Sequence, residues 1–144
     1  MGVAVRIALL STIVSGLACA SASRGADGER SVAATPKRVA VSVTYRERIM
    51  VPSGSELDVQ IVDVSKGDSA ATTVAEKKTK IDGGPPYHVS LEIPPELYID
   101  SSRYHARAEI MRPDSTTMFV TRQGVPVLTM GAGDSVEVVV GMGQ

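Results

Sequence analysis

The sequence predicts an all-β fold, a small immunoglobulin-like or transthyretin-like β-sandwich of seven to eight strands. Three observations predict it. Apolar and polar residues alternate with a period of two in several separate segments, which puts the apolar members of each on one face of a strand. Turn residues recur between these segments at intervals of about a dozen residues, and no long helical period interrupts them. Aromatic content is 3%, with no Trp and a single Phe119. The core must therefore come from Val, Ile, Leu and a few Tyr, a set weighted toward the β-branched residues that fill pleated faces.

The chain opens with an export pattern. Met1 to Arg6 carries one positive charge, and Ile7 to Ala18 is an apolar run broken only by Ser11, Thr12, Ser15 and Gly16. That is the layout of a secretory signal, too short for a bilayer-spanning helix. It ends in Gly16-Leu17-Ala18-Cys19, which is similar to a bacterial lipobox except that Gly16 stands where Leu is usual. On this reading residues 1–18 are a lipoprotein signal peptide and Cys19 is the lipidation site. Residues 19–37, rich in Ser, Ala, Gly and charge, form a flexible tether, and residues 38–144 form the sandwich domain. Ordinary signal-peptidase cleavage at Ala18-Cys19-Ala20 or Ala20-Ser21-Ala22 is the alternative. By analogy with other lipoproteins, Ala20 directly after the cysteine favours the outer membrane.

The predicted strands follow in order. Val39, Val41, Val43 and Tyr45 alternate with polar or small residues in a first strand. After the turn Pro52-Ser53-Gly54-Ser55, Leu57, Val59 and Ile61 make a second strand, expected to pair with the first. Thr72 to Ile81 carries Lys77, Lys78 and Lys80, which mark an edge strand protected from further pairing. Asp82 to Pro86 is a turn. Tyr87 to Ile93 and Tyr104 to Met111 are the best-alternating segments, expected to be neighbouring strands over one core. Between them Pro94-Pro95-Glu96-Leu97 suits a single helical turn, with Leu97, Tyr98 and Ile99 plugging one end. Thr117 to Thr121 directs Phe119 inward, Val125-Pro126-Val127-Leu128 is extended but Pro-interrupted and hence at an edge, and Val136, Val138 and Val140 form the last strand.

No chemistry is marked. The full chain has a formal charge of −1, and loss of residues 1–18 removes Arg6 alone, leaving 14 basic against 16 acidic residues. Nothing in that balance predicts a nucleic-acid partner. Cys19 is the only cysteine, so neither an internal disulfide nor a cysteine metal site can form. His88 and His105 lack a third ligand at recognisable spacing. Ser90, His105 and Asp100 include no nucleophile elbow. Glu92 and Glu109 read as solvated positions opposite basic neighbours, and Arg46, Arg48, Arg103, His105 and Arg107 as a modest positive stripe. The expectation is no catalytic residue, no metal and no cofactor.

Several segments, taken in succession, carry a resemblance. Val43-Thr44-Tyr45-Arg46-Glu47-Arg48, then Leu57 to Ser65, Gly83-Gly84-Pro85-Pro86-Tyr87, Arg103-Tyr104 with Arg107-Ala108-Glu109-Ile110, and Pro126-Val127-Leu128-Thr129 resemble the YbaY/YscW-like lipoprotein family from about Arg38 to Val140. The resemblance implies a small β-sandwich without catalytic residues, with Cys19 as the lipid-bearing position. Some members are pilotins, outer-membrane lipoproteins that bind a secretin subunit and help carry it to the outer membrane. The expected function is thus a periplasm-facing, non-enzymatic chaperone or adaptor for an envelope or secretion protein. The alternative is a small-ligand or envelope-glycan binding module on the same fold.

Overall fold

The computed structural model describes residues 34–143. The predicted signal peptide, Cys19 and the tether through residue 33 lie outside the described residues. Eight strands follow one another: β1 (Lys37–Tyr45), β2 (Ser55–Asp63), β3 (Thr72–Ile81), β4 (Tyr87–Ile93), β5 (Tyr104–Met111), β6 (Thr117–Val120), β7 (Val125–Val127) and β8 (Ser135–Met142). Single 3₁₀ turns at Asp68–Ala70 and Pro95–Leu97 interrupt the connections. The all-β sandwich read from the sequence is the fold observed.

One wall is β4-β1-β8 and the other is β3-β2-β5-β6, with β7 also on β5. The walls are joined where β6 pairs with β8, Phe119 opposite Met142 and Val120 opposite Gly141. β1 and β8 run parallel, while the other pairs are antiparallel. β3 and β4 end the strand order, so the sheet curls toward a barrel that stays unzipped between them. Lys77 lies in β3 opposite Val59, on the core side, and its ammonium donates to the Ser90 carbonyl of β4 at 3.2 Å. A charge pointing inward at the margin keeps further strands from adding there.

The period-two pattern sets the core. Val39, Val41 and Val43 of β1, Leu91 and Ile93 of β4, and Val138 and Val140 of β8 face Leu57, Val59 and Ile61 of β2 and Tyr104, Ala106, Ala108 and Ile110 of β5. Phe119 is fully buried and stacks on Tyr45 with ring centroids 4.6 Å apart.

Pairing differs from the sequence expectation in two places. β1 and β2 lie in opposite walls rather than forming a hairpin, and so do β4 and β5, which share the core without touching as neighbours. Alternation fixes which face of a strand is buried, but not which strand lies beside it. The connection from β4 to β5 crosses between walls through Pro94-Pro95, where no amide is free to continue a ladder. Within it, Tyr98 stacks on Tyr104 at 5.6 Å, and the Tyr104 hydroxyl accepts from the Ile99 amide at 2.8 Å. Leu97 and Ile99 remain exposed, so Tyr98 alone plugs that end. β3 and β7 take the edge positions expected of them.

Candidate functional site

The outer face of the second wall carries a hollow of about 560 Å³. Its origin is an irregularity in the pairing of β5. The first part of β5, Tyr104 to Ala106, pairs with β7, and the last, Glu109 to Met111, pairs with β6. Residues 121–124 bridge the two short strands as a loop. Thr121 substitutes for the missing ladder: its amide donates to the Ala108 carbonyl at 2.9 Å, and its hydroxyl accepts from the Ala108 amide at 2.8 Å. The loop therefore leaves the sheet and stands up as a wall over β5. Gly124 is required there, because a Cβ at that position would lie 2.9 Å from His105 Cβ.

The floor is built from outward positions of β2 and β5. Asp58 sits opposite Glu109 and Gln60 opposite Arg107, with His105 further along β5. On the other flank, Asp58 faces Lys78 and Gln60 faces Glu76 of β3. Asp68, from the 3₁₀ turn after β2, forms the second wall and is held by the Arg107 guanidinium at 3.1 Å. The Glu109 carboxylate accepts a short hydrogen bond from the Thr117 hydroxyl.

Asp58 is the unusual residue. Its side chain is only 8% exposed, and Oδ1 has no hydrogen-bond partner among the described residues. Oδ2 accepts from the Gln60 amide at 3.2 Å, with Lys78 Nζ at 3.8 Å. Burial, followed by the charge of Glu76, raises its pKa above the ordinary 3.8; Lys78 and Gln60 oppose the shift without cancelling it. The pKa of Lys78 is raised chiefly by Glu76, which lies nearer, at 3.2 Å. The Asp58–Lys78 attraction is thus too weak to offset the desolvation of the acid, as expected when one partner of a pair stays in solvent.

Other residues singled out from the sequence are dispersed. His88 lies on β4 opposite Ser42, while His105 lines the hollow on β5. Among the described residues no group of three or more His, Cys, Asp or Glu is placed to hold a metal. Ser90 sits on β4 opposite Ala40 and Asp100 lies in the β4–β5 connection, so the paper triad with His105 spans both walls. Glu92 pairs with Arg38 at 2.6 Å, as expected of it. Glu109 instead faces Asp58 and Val120, which corrects the expectation of a basic neighbour. Arg107 is held by Asp68, and Arg103 donates to the carbonyls of Val64 and Ser65. The hollow itself, with Asp58, Gln60 and Gly124, lies outside what the sequence pattern marks. No signal in the sequence marks it, since Asp58 and Gln60 read as ordinary outward polar positions and Gly124 as a loop residue.

With the geometry established, comparison with known proteins places the chain. Residues 34–140 match the family described as the type III secretion system lipoprotein chaperone, YscW. The chain belongs to this family. The match takes in β1 through β7 and most of β8, including every residue of the hollow. A solved structure described as an alternative pilotin from the type II secretion system of Vibrio cholerae is similar, with 28% identity and a TM-score of 0.68. The alignment covers 76% of this chain and all of that one. No curated protein matches the chain. Cys19 precedes the span shared with the lipoprotein chaperone family.

Proposed function

We propose that this member of the lipoprotein chaperone family is a pilotin-like escort: an outer-membrane lipoprotein, lipid-anchored at Cys19, whose periplasmic sandwich binds a secretin-type subunit of a secretion channel. Residues 1–18 are the signal peptide and 19–37 the tether that lets the domain reach its partner. The protein performs no catalysis and needs no cofactor; its work is binding and delivery. The observation that carries the reading is the family match across the whole sandwich. Similarity to a type II pilotin supports it from a second secretion system. The hollow on β2 and β5 supplies a concave surface of about 560 Å³, within the range of built recognition sites. The rival envelope-glycan module lacks support there, since among the described residues no Tyr, Phe or Trp lines the hollow for sugar stacking.

The test is fractionation of a tagged wild type beside Cys19→Ser, with secretin multimers followed in the same membranes. The reading expects the wild type in outer-membrane fractions, the variant unacylated and displaced, and fewer outer-membrane secretin multimers in the variant. Soluble periplasmic wild type would defeat the anchor. Unchanged secretin multimers on deletion of the gene would defeat the escort role.

A further inference from the structure

We infer that the hollow over β2 and β5 is a subsite for a basic side chain, arginine or lysine, presented by the partner polypeptide, with Asp58 and Glu109 as its acceptors. This rests on the chaperone reading and adds to it a place and a chemistry. Asp58 lies on the hollow's floor at 8% exposure with one carboxylate oxygen unpartnered among the described residues. A buried acceptor without a donor is uncommon, because it forfeits water without recovering a hydrogen bond. Oδ1 itself is enclosed, so a donor from the hollow meets the carboxylate once the group turns about its Cβ–Cγ bond, and a cationic donor then does so with a charge-assisted bond.

Charge around the hollow points the same way. Three acids, Asp58, Asp68 and Glu109, line it with two bases, Arg107 and Arg122. Arg107 is already engaged by Asp68. That leaves Asp58 and Glu109, directly opposite each other in the β2–β5 ladder, against Arg122 alone on the wall. On the β3 flank beside Asp58, Glu76 and Lys78 are paired at 3.2 Å and offset each other. Two carboxylates side by side repel each other and attract one cation between them. The volume exceeds that of one guanidinium or ammonium group, so the hollow admits the side chain together with adjoining backbone, as a polypeptide requires. Gln60 and Thr121 line it as well and offer the polar contacts that fix orientation.

The experiment uses ¹⁵N-labelled protein purified from envelopes in neutral detergent, as its host processes it. Four probes are titrated: Nα-acetyl-arginine amide, Nα-acetyl-lysine amide, the uncharged Nα-acetyl-norleucine amide, and spermidine. The inference expects saturable amide shifts at Asp58, Gln60, Arg107, Glu109 and Thr121 with the arginine and lysine probes, and none with norleucine. Asp58→Asn weakens that binding by about tenfold, the effect of losing one charge-assisted hydrogen bond. Glu109→Gln weakens it less, and Arg38→Gln, on the opposite wall, leaves it unchanged. Equal binding of norleucine, shifts mapping elsewhere, or wild-type affinity in both acid variants overturns the inference. Spermidine binding without binding of either amino-acid probe overturns the polypeptide assignment. Using both acid variants guards against misfolding of one. The outcome is separable from that of the escort reading: a chain that binds the cationic probes but leaves secretin multimers unaffected keeps the subsite and loses the escort role.

Discussion

Replacing Asp58 by Leu should make the protein more stable, and the gain should depend on pH. Leu preserves the branched shape while removing both carboxylate oxygens, one of which is enclosed without a partner. Substituting a buried unsatisfied group with an apolar one of similar shape recovers a desolvation cost of about 1–3 kcal/mol. Lys78 retains Glu76 at 3.2 Å, and half-buried Gln60 can turn to water, so little is lost in exchange. About 1–2 kcal/mol remains near pH 7, or about 4–8 °C in Tm per kcal/mol for a domain of this size. The sign with pH follows from the raised pKa. A folded pKa above the unfolded 3.8 means that stability from Asp58 is fully present below 3.8 and is lost as pH rises through the folded value. The advantage of Leu is therefore smallest below pH 3.8, grows above it, and levels off once Asp58 is ionised in the folded state. Urea denaturation at a series of pH values, with unchanged m-values, measures this difference directly. A pH-independent difference, or a Leu variant less stable than wild type at pH 7, would refute the assignment of Asp58 as a desolvated, under-partnered acid.

Further substitutions probe the supports of the fold and of the hollow. Gly124→Ala should destabilise by about 1–3 kcal/mol in thermal melts, since overpacking is strongest where backbone and a neighbouring Cβ meet, here at 2.9 Å from His105. Phe119→Ala, at a fully buried ring stacked on Tyr45, should lose about 3–5 kcal/mol in chemical denaturation; a loss below about 1 kcal/mol would contradict its place in the core. Lys77→Val should convert a protected margin into an adhesive one, seen as concentration-dependent association in sedimentation velocity. Ser65→Ala removes the hydroxyl that donates to Asp63 at 2.5 Å and holds the Asp63 pKa below 3.8. The hydroxyl also accepts from the Arg103 amide at 2.9 Å, so part of the penalty of about 1 kcal/mol should persist at every pH, while the part linked to Asp63 should be full above pH 3.8 and fade as pH falls through the lowered value.

The sequence disclosed the faces of the strands far better than their neighbours. Val39, Val41 and Val43, or Tyr104, Ala106, Ala108 and Ile110, declare their inward side by alternation, because a one-residue slip would expose the entire set. Nothing in those residues states that β1 accepts β4 and a parallel β8. Such pairings join distant parts of the chain and depend on how the two walls close. Lysines at Lys77, Lys78 and Lys80 did reveal an edge, since an exposed ladder needs a local deterrent wherever it lies. Cys19 remains a reading of sequence alone.

The hollow was illegible for a related reason. Asp58, Gln60, Arg107 and Glu109 each occupy an outward position, and outward polar residues ordinarily mean solvent. What turns this stretch of exterior into a recess is the departure of residues 121–124 from the ladder, with Thr121 completing the bonds of Ala108 through its side chain. A Thr followed by Arg, Gln and Gly carries no sign of that excursion. The consequence nonetheless falls on Asp58, whose burial comes from the same neighbourhood that leaves its Oδ1 without a donor. Stability alone would favour an apolar residue on that floor. An acid there is better accounted for by a basic side chain that arrives with the partner, and an Asp58→Leu variant that gains stability while losing the cationic probes would exhibit both sides of that exchange.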